Sequence, residues 1–355
     1  MPVFVLVVLL ALLVPYGVLA AAASMRFVHA CRQPPPPAPA RWPSVTALAS
    51  LQASPLDAAA AFEASDYPAD RLTLLRPQAE PRSPADLDGT GAVSEQRLPV
   101  DEGTRPASLL RRAMAAADGE VLVTVPTGGS PAAGSLRSMV RLCSANTPVV
   151  VGPTLIEHED RFVPRLHALQ HLGRLVATTG ALHAGLPAVL EGDNRALHVA
   201  TLRERPDAAS RPATAFNPDA DAAVACPPAR SFGALVRRQA RWLRRTWERG
   251  GLGRGQAAGL WGLHALLLAC SLVAVAVPAW RQPTLLALLG KMGADVGLAL
   301  PAAKHYGQRG LLRSLVPAEL MLVLTLPMAG LRALFGPIHE SASASSPGAR
   351  RAERS

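Results

Sequence analysis

Lys291 and Asp295 are the charges most out of place in this chain, because both lie in an otherwise apolar stretch, residues 284–303. At a spacing of four they share one helix face, where a cation and a carboxylate can pair and lower the cost of burying each other. Two arrangements satisfy the pattern: a polar contact inside a helix bundle, or a re-entrant or interfacial helix. His264 and Glu319 stand in neighbouring apolar stretches and read as packing groups, or as groups whose polar ends reach toward water, rather than as ligands. The other acids that could work as bases sit in irregular segments. Asp86 and Asp88 belong to the turn-forming PADLDGT, and Asp219 and Asp221 to a segment rich in Pro and Ala. Without a rigid element beneath it, a carboxylate has neither a defined pKa nor a defined reach, so these read as loop acids. Cys31, Cys143, Cys226 and Cys270 are scattered without a C-x-x-C pair, which argues against a zinc site and a disulfide framework.

The elements that must position such residues alternate between apolar and proline-rich blocks: 33 of 355 residues are Pro, yet 49% are hydrophobic. Thirty-six basic against twenty-six acidic side chains give a net charge of +10, a balance that suits nucleic acid, anionic lipid or a membrane surface. The apolar blocks favour lipid, and an aromatic content of 4% leaves little for base stacking, so nucleic acid is set aside as a partner. Residues 3–23 are uncharged and span the ~20 residues that cross a bilayer core as a helix. A cleaved leader is the alternative, but the run is long and lacks a basic start, so a retained anchor is expected. Residues 257–280 and 311–335 are further spans, and residues 284–303 would make the total four rather than three. Arg26, His29 and Arg32 after the first span, and Lys304, Arg309 and Arg313 in the last loop, place both on the cytoplasmic side of an inner membrane. Four spans leave the tail arginines Arg350, Arg351 and Arg354 outside; three would not.

The sequence divides into an anchor (1–24), a proline-rich linker (25–43), a soluble domain (44–230), an amphipathic segment (231–254), the C-terminal apolar helices (255–336) and a disordered tail (337–355). A stiff polyproline linker would hold the following domain away from the bilayer. Within the domain, strands are predicted at 44–48, 72–75 and 121–125, with helices leading to 64 and at 106–117 and 134–144. Alternating strands and helices imply an α/β domain with a mainly parallel sheet. Residues 232–247 set Leu235, Gln239, Trp242, Leu243 and Thr246 on one helix face amid arginines, the pattern of a helix lying at a lipid surface.

Residues 119–136, GEVLVTVPTGGSPAAGSL, resemble the strand and turn that family-2 glycosyltransferases write as G-E-hydrophobic-hydrophobic-x-T-x-D-A-D followed by P-x-G-x-L. Further segments resemble the same family in the same order: SDYPADRLTLL (65–75), the helix leading into GEVLVT, the stretch ending in GDNRALH (192–198), RRQARW (237–242), and KMGADVGLALPAAKHYGQRGLL (291–312). The resemblance implies a GT-A fold with transmembrane helices, and transfer of a sugar from a nucleotide-sugar donor to a lipid or polysaccharide acceptor. It also implies a Mg or Mn ion, but Pro126, Thr127 and Gly128 occupy the positions of its acids, and such a trio is no charged oxygen cage for a hard cation. The base-binding acid of the first loop is likewise missing near Ser50, Leu51, Gln52 and Ala53. Asp88 matches the D-G-T of the nucleotide loop, Asp193 and Asn194 match the G-A-N segment, and Arg241 and Trp242 match the R-W pair, with Arg238 where the family has Gln. The family's acidic general base has no counterpart helix between residues 199 and 236. The resemblance therefore leads to a catalytically impaired membrane glycosyltransferase or, as the alternative, a pseudoenzyme scaffold that positions an active glycosyltransferase or another partner.

Overall fold

The computed structural model describes residues 2–48, 62, 64–78, 93–101, 106–126, 128–158, 160–186, 193–204, 213–248 and 250–335. Short runs of Val and Leu build its centre. β1 (Val45–Leu48) and β4 (Val121–Thr124) are buried along their whole length, as strands covered on both faces must be. Around them lie β2 (Leu72–Gln78), β3 (Ser94–Pro99), β6 (Val149–Val151), β8 (Arg195–His198) and β9 (Thr214–Phe216), in the order β3-β2-β1-β4-β8-β6-β9. All neighbouring pairs are parallel except those of β8, which runs against both β4 and β6. The mainly parallel α/β sheet expected from the sequence is thus present. A second, three-stranded sheet joins β5 (Ser130–Pro131), β10 (Val224–Cys226) and β7 (Thr154–Ile156), with β10 in the middle.

The helices are α1 (Pro2–Arg32), α2 (Pro106–Ala116), α3 (Ser135–Leu142), α4 (Phe162–His183), α5 (Val199–Glu204), α6 (Phe232–Glu248), α7 (Gly251–Ala276), α8 (Arg281–His305) and α9 (Leu315–Phe335). Four segments, 7–32, 251–276, 278–305 and 309–335, are helical, long and apolar enough to cross a membrane. Phe27 meets His305 and Tyr306 edge-on at 6.0 and 6.2 Å, which brings the C-terminal ends of α1 and α8 together.

Three expectations change. The proline-rich segment does not hold the sheet domain away from the apolar helices, because α1 packs directly against α4 and α8. Ala20, Ala23, Phe27 and Ala30 recur at helical spacing and are buried in the main core. Gly180 of α4 has no side chain, and any Cβ there would overlap the backbone and methyl of Ala23. Ser24 Oγ donates to the Gly297 carbonyl of α8 at 2.7 Å. Glu319 is neither a packing nor a snorkelling group. Lys291 Nζ bonds Asp295 at 2.6 Å and Glu319 as well, and Tyr16 donates to Asp295, so α1, α8 and α9 share one ion cluster. The apolar face of α6 does not lie on lipid: Ala240, Trp242 and Leu243 pack with Ala257 of α7 and Leu326 and Ala329 of α9. Gln239, on the same face, donates to Gln170 of α4 at 2.8 Å and Thr325 of α9 at 3.3 Å.

Candidate functional site

In an open parallel sheet, ligands bind beyond the carboxyl ends of the strands, where the strand order reverses. Here β1 lies between β2 and β4, so the reversal falls between β1 and β4, and the chain leaves β4 there at Thr124. Thr124 Oγ1 donates to the carbonyl of Asp193, which fixes the start of β8 beside the end of β4. Pro126 follows, buried, and its carbonyl accepts from Gly129 N at 2.8 Å, closing a tight turn. Gly128 sits in that turn at φ 69°, where a residue with a Cβ is strained, and the Pro227 ring lies 3.4 Å from where its Cβ would stand. A Cβ on Gly129 would come within 2.7 Å of Val224, so only glycine lets β5 reach β10. Thr127 lies outside the described residues, as does Asp88, the expected nucleotide contact.

Asn194 is enclosed. Its amide donates to the carbonyls of Pro153 and Ala222 at 2.9 Å each, and its own carbonyl accepts from Gly152 N at 3.0 Å. It ties β8 to the second sheet and is covered on that side, since a Cβ on Gly152 would collide with its amide. Asp193 is exposed and pairs with Arg195 at 3.4 Å. Asp219 is not a free loop acid: one carboxylate oxygen accepts from Ser138 Oγ at 2.7 Å and the other from Asp221 N at 3.1 Å. Asn217 holds the same loop by donating to Ser138, and His305 and Tyr306 both reach the Pro218 carbonyl. Asp221 remains exposed beside Gly134. Trp242 is buried with the Arg174 guanidinium 5.8 Å over its ring, so it fills the α4–α6 contact. Arg241 lies on the same helix, half-buried.

The loop between β10 and α6 packs against the turn at Gly128 through Pro227. Cys226 carbonyl accepts from Glu157 N at 2.9 Å, and His167 Nδ1 accepts from Ala229 N at 3.1 Å. His171, one turn along α4, meets the Thr154 carbonyl of β7 at 2.7 Å. Sequence reasoning missed both histidines; their i, i+4 spacing within an apolar helix face was the available signal. Burial pushes the Cys226 thiol up to about 12, against a smaller downward pull from Arg238, so it is a neutral packing group and no nucleophile.

Compared with solved structures, the chain is similar to a mannosyltransferase from Pyrobaculum calidifontis, solved in complex with GDP-Man and Mn²⁺. The two are 17% identical with a TM-score of 0.56, over 95% of this chain and 100% of that one. The fold is that of a GT-A glycosyltransferase. More distant similarities are to glucosyl-3-phosphoglycerate synthase from Mycobacterium tuberculosis, at 15% identity and TM-score 0.33 over 58% of this chain and 78% of that one. Another is TarS from S. aureus, at 10% identity and TM-score 0.36 over 82% and 91%. No family model and no curated protein matches the sequence.

The GT-A domain does not fit the divalent ion that its fold family implies. Hard cations take several oxygen ligands, preferably carboxylates. At the end of β4 stand a proline ring, a turn carbonyl already bonded to Gly129, and two glycines, and among the described residues no three His, Cys, Asp or Glu side chains converge. Asp193 and Asp219 are engaged by Arg195 and by Ser138.

Proposed function

We propose that this chain is a membrane-bound relative of the nucleotide-sugar glycosyltransferases that keeps the GT-A frame and is impaired in metal-assisted sugar transfer. The observation that carries the reading is the turn from Pro126 to Gly129, where proline and glycine pack against Pro227 and Val224 at the strand end from which charged ligands would project. Metal-assisted transfer needs a cation to offset the departing diphosphate and a base to take the acceptor proton. Among the described residues no three His, Cys, Asp or Glu side chains converge to hold the cation, and Asp219 is engaged by Ser138 and by Asp221 N. The four apolar helices support a multi-pass arrangement in the inner membrane. The meeting of Phe27 with His305 supports one shared cytoplasmic face for the ends of α1 and α8, with the GT-A domain on that side and a lipid or glycan as acceptor.

The test is release of nucleoside diphosphate from a panel of sugar nucleotides by purified protein with Mn²⁺ or Mg²⁺. No release above the rate of a heat-inactivated sample is expected, and metal-dependent turnover refutes the reading. A second reading, a scaffold that positions an active glycosyltransferase, is favoured by one observation. Asn194, Asn217 and Asp219 all hold backbone or neighbouring loops, so the polar groups around the site maintain a frame. Calorimetry with the same donors separates the two: measurable heat supports the donor-binding relative, and its absence supports the scaffold.

A further inference from the structure

All four apolar helices bring a titratable side chain to one locality. Tyr16 comes from α1, His264 from α7, Lys291 and Asp295 from α8, and Glu319 from α9. Leu9, Leu263, Leu267 and Val323 are buried around Tyr16, so the surround is apolar. Ionisable groups inside a membrane bundle are costly to keep and mark places where charge or protons are handled. The charges here do not balance. One ammonium faces two carboxylates, and with both ionised the cluster carries a net negative charge that its surround makes unfavourable.

Hydrogen bonding shows how the imbalance is met. Asp295 accepts on both oxygens, from Lys291 Nζ at 2.6 Å on Oδ2 and from the Tyr16 hydroxyl on Oδ1. Glu319 accepts from Lys291 on Oε2, and the two carboxyl groups are also in hydrogen-bond contact with each other. An ionised carboxylate only accepts, so two in contact require a proton between them. Asp295, with a donor on each oxygen, is the ionised member, and Glu319 is left to carry the proton. His264 is an independent sign of the same ligand. It is 1% exposed, and its Nδ1 meets the Leu260 carbonyl at 2.8 Å; a carbonyl only accepts, so Nδ1 holds the ring proton. Its Nε2 is buried with no hydrogen-bond partner, and the ring lies within electrostatic reach of Lys291 and Asp295. An open lone pair within reach of an acid pair points to a proton. A metal ion fits poorly, because the ammonium already bridges the carboxylates and no three His, Cys, Asp or Glu side chains converge among the described residues. We infer that the helix bundle is a proton-binding site, which holds one proton on Glu319 against the Asp295 carboxylate, with Lys291 and Tyr16 fixing the pair. The bound proton brings the five side chains to zero net charge, so its loss leaves one negative charge buried among four helices.

The experiment uses the full chain in detergent at neutral pH and compares wild type with Glu319→Gln by infrared difference spectroscopy. The carbonyl band of a protonated carboxylic acid is expected in wild type and is expected to vanish in the variant. Thermal unfolding of the same samples gives a second reading. Glutamine keeps an acceptor for Lys291 and a donor for Asp295, so it copies the protonated acid, and Glu319→Gln should melt within about 1–2 °C of wild type. Asp295→Asn takes the ionised partner from Lys291 and should melt lower by on the order of 10 °C. Replacing sodium with choline in the buffer should change neither the band nor the midpoint. Wild type without that band, or a Glu319→Gln variant that fails to fold or melts as low as Asp295→Asn, overturns the inference, because Glu319 is then ionised. A band that appears only when sodium is withdrawn also overturns it, since a metal ion then supplies the balancing charge.

Discussion

Replacing Lys291 with Met tests the polar centre of the helix bundle. Lys291 is 1% exposed, and the two carboxylates on its ammonium, Asp295 and Glu319, are 14% and 13% exposed. Each contact is worth about 4 kcal/mol of Coulomb energy at ~4 Å and an effective dielectric of ~20, but much of this offsets the desolvation of the ammonium itself. Removing one partner of a buried pair typically costs about 3–5 kcal/mol, because the other charge is left uncompensated. Here two carboxylates lose a single cation, so the upper half of that range, about 4 kcal/mol, is expected. For a chain of this size that lowers the melting midpoint by on the order of 10 °C. Unfolding in detergent can be followed with a thiol-reactive dye, since Cys226 and Cys270 are buried until the fold opens. The decisive comparison is Lys291→Met/Asp295→Leu/Glu319→Gln, which removes every formal charge. Apolar replacement of a whole buried cluster is often neutral, so this variant should recover most of the lost stability. A single variant that melts within 1 °C of wild type, or a triple variant as unstable as the single one, would refute the reasoning.

Adding a methyl at the closest helix contact, Gly180→Ala, should cost about 1–3 kcal/mol by overpacking against Ala23 and appear as a lower midpoint and faster proteolysis between α1 and β1. In a chain whose other cysteines are Ser, Cys226 should alkylate on the order of a thousandfold more slowly than an ordinary thiol at pH 8. The sign follows from a raised thiol pKa: the neutral form persists upward in pH, so the rate should climb about tenfold per unit until it levels near 12. Placing acids at the turn as Pro126→Asp/Gly128→Asp should not create tight Mn²⁺ binding by electron paramagnetic resonance. It should destabilise by about 1–2 kcal/mol, because Gly128 occupies positive φ. Tyr16→Phe should cost about 1–2 kcal/mol in thermal unfolding, as it deprives Asp295 of a donor.

Local pattern made some of this architecture legible and non-local partnership hid the rest. Val121–Thr124 and Leu72–Leu75 announce themselves as buried strands because every side chain is apolar or β-branched. β3 runs Ser-Glu-Gln-Arg-Leu-Pro and carries no such signal; it is an edge strand whose one ladder partner is β2. β8 reverses direction between β4 and β6, a choice set by Thr124 and Asn194 rather than by its own four residues. Lys291 and Asp295 could be paired from their spacing, but Glu319 joins from another helix, which no periodicity reports. The face of α6 was readable as one that must be covered, yet the sequence does not say whether lipid or protein covers it; α7 and α9 do. At the site, Pro126 and Gly128 are plain in the sequence, but their packing against the second sheet through Pro227 is not.

The contact between Ala23 and Gly180 has a consequence for how the protein is made. The first helix leaves the ribosome long before α4 is synthesised, and the sheet domain cannot seal that side of its interior until both are present. A fragment starting near Ser44, cut to be water-soluble, would display the bare flank of α4 on which Ala23 and Phe27 now rest. Such a fragment should clump rather than crystallise, and useful preparations will have to keep the amino-terminal helix attached.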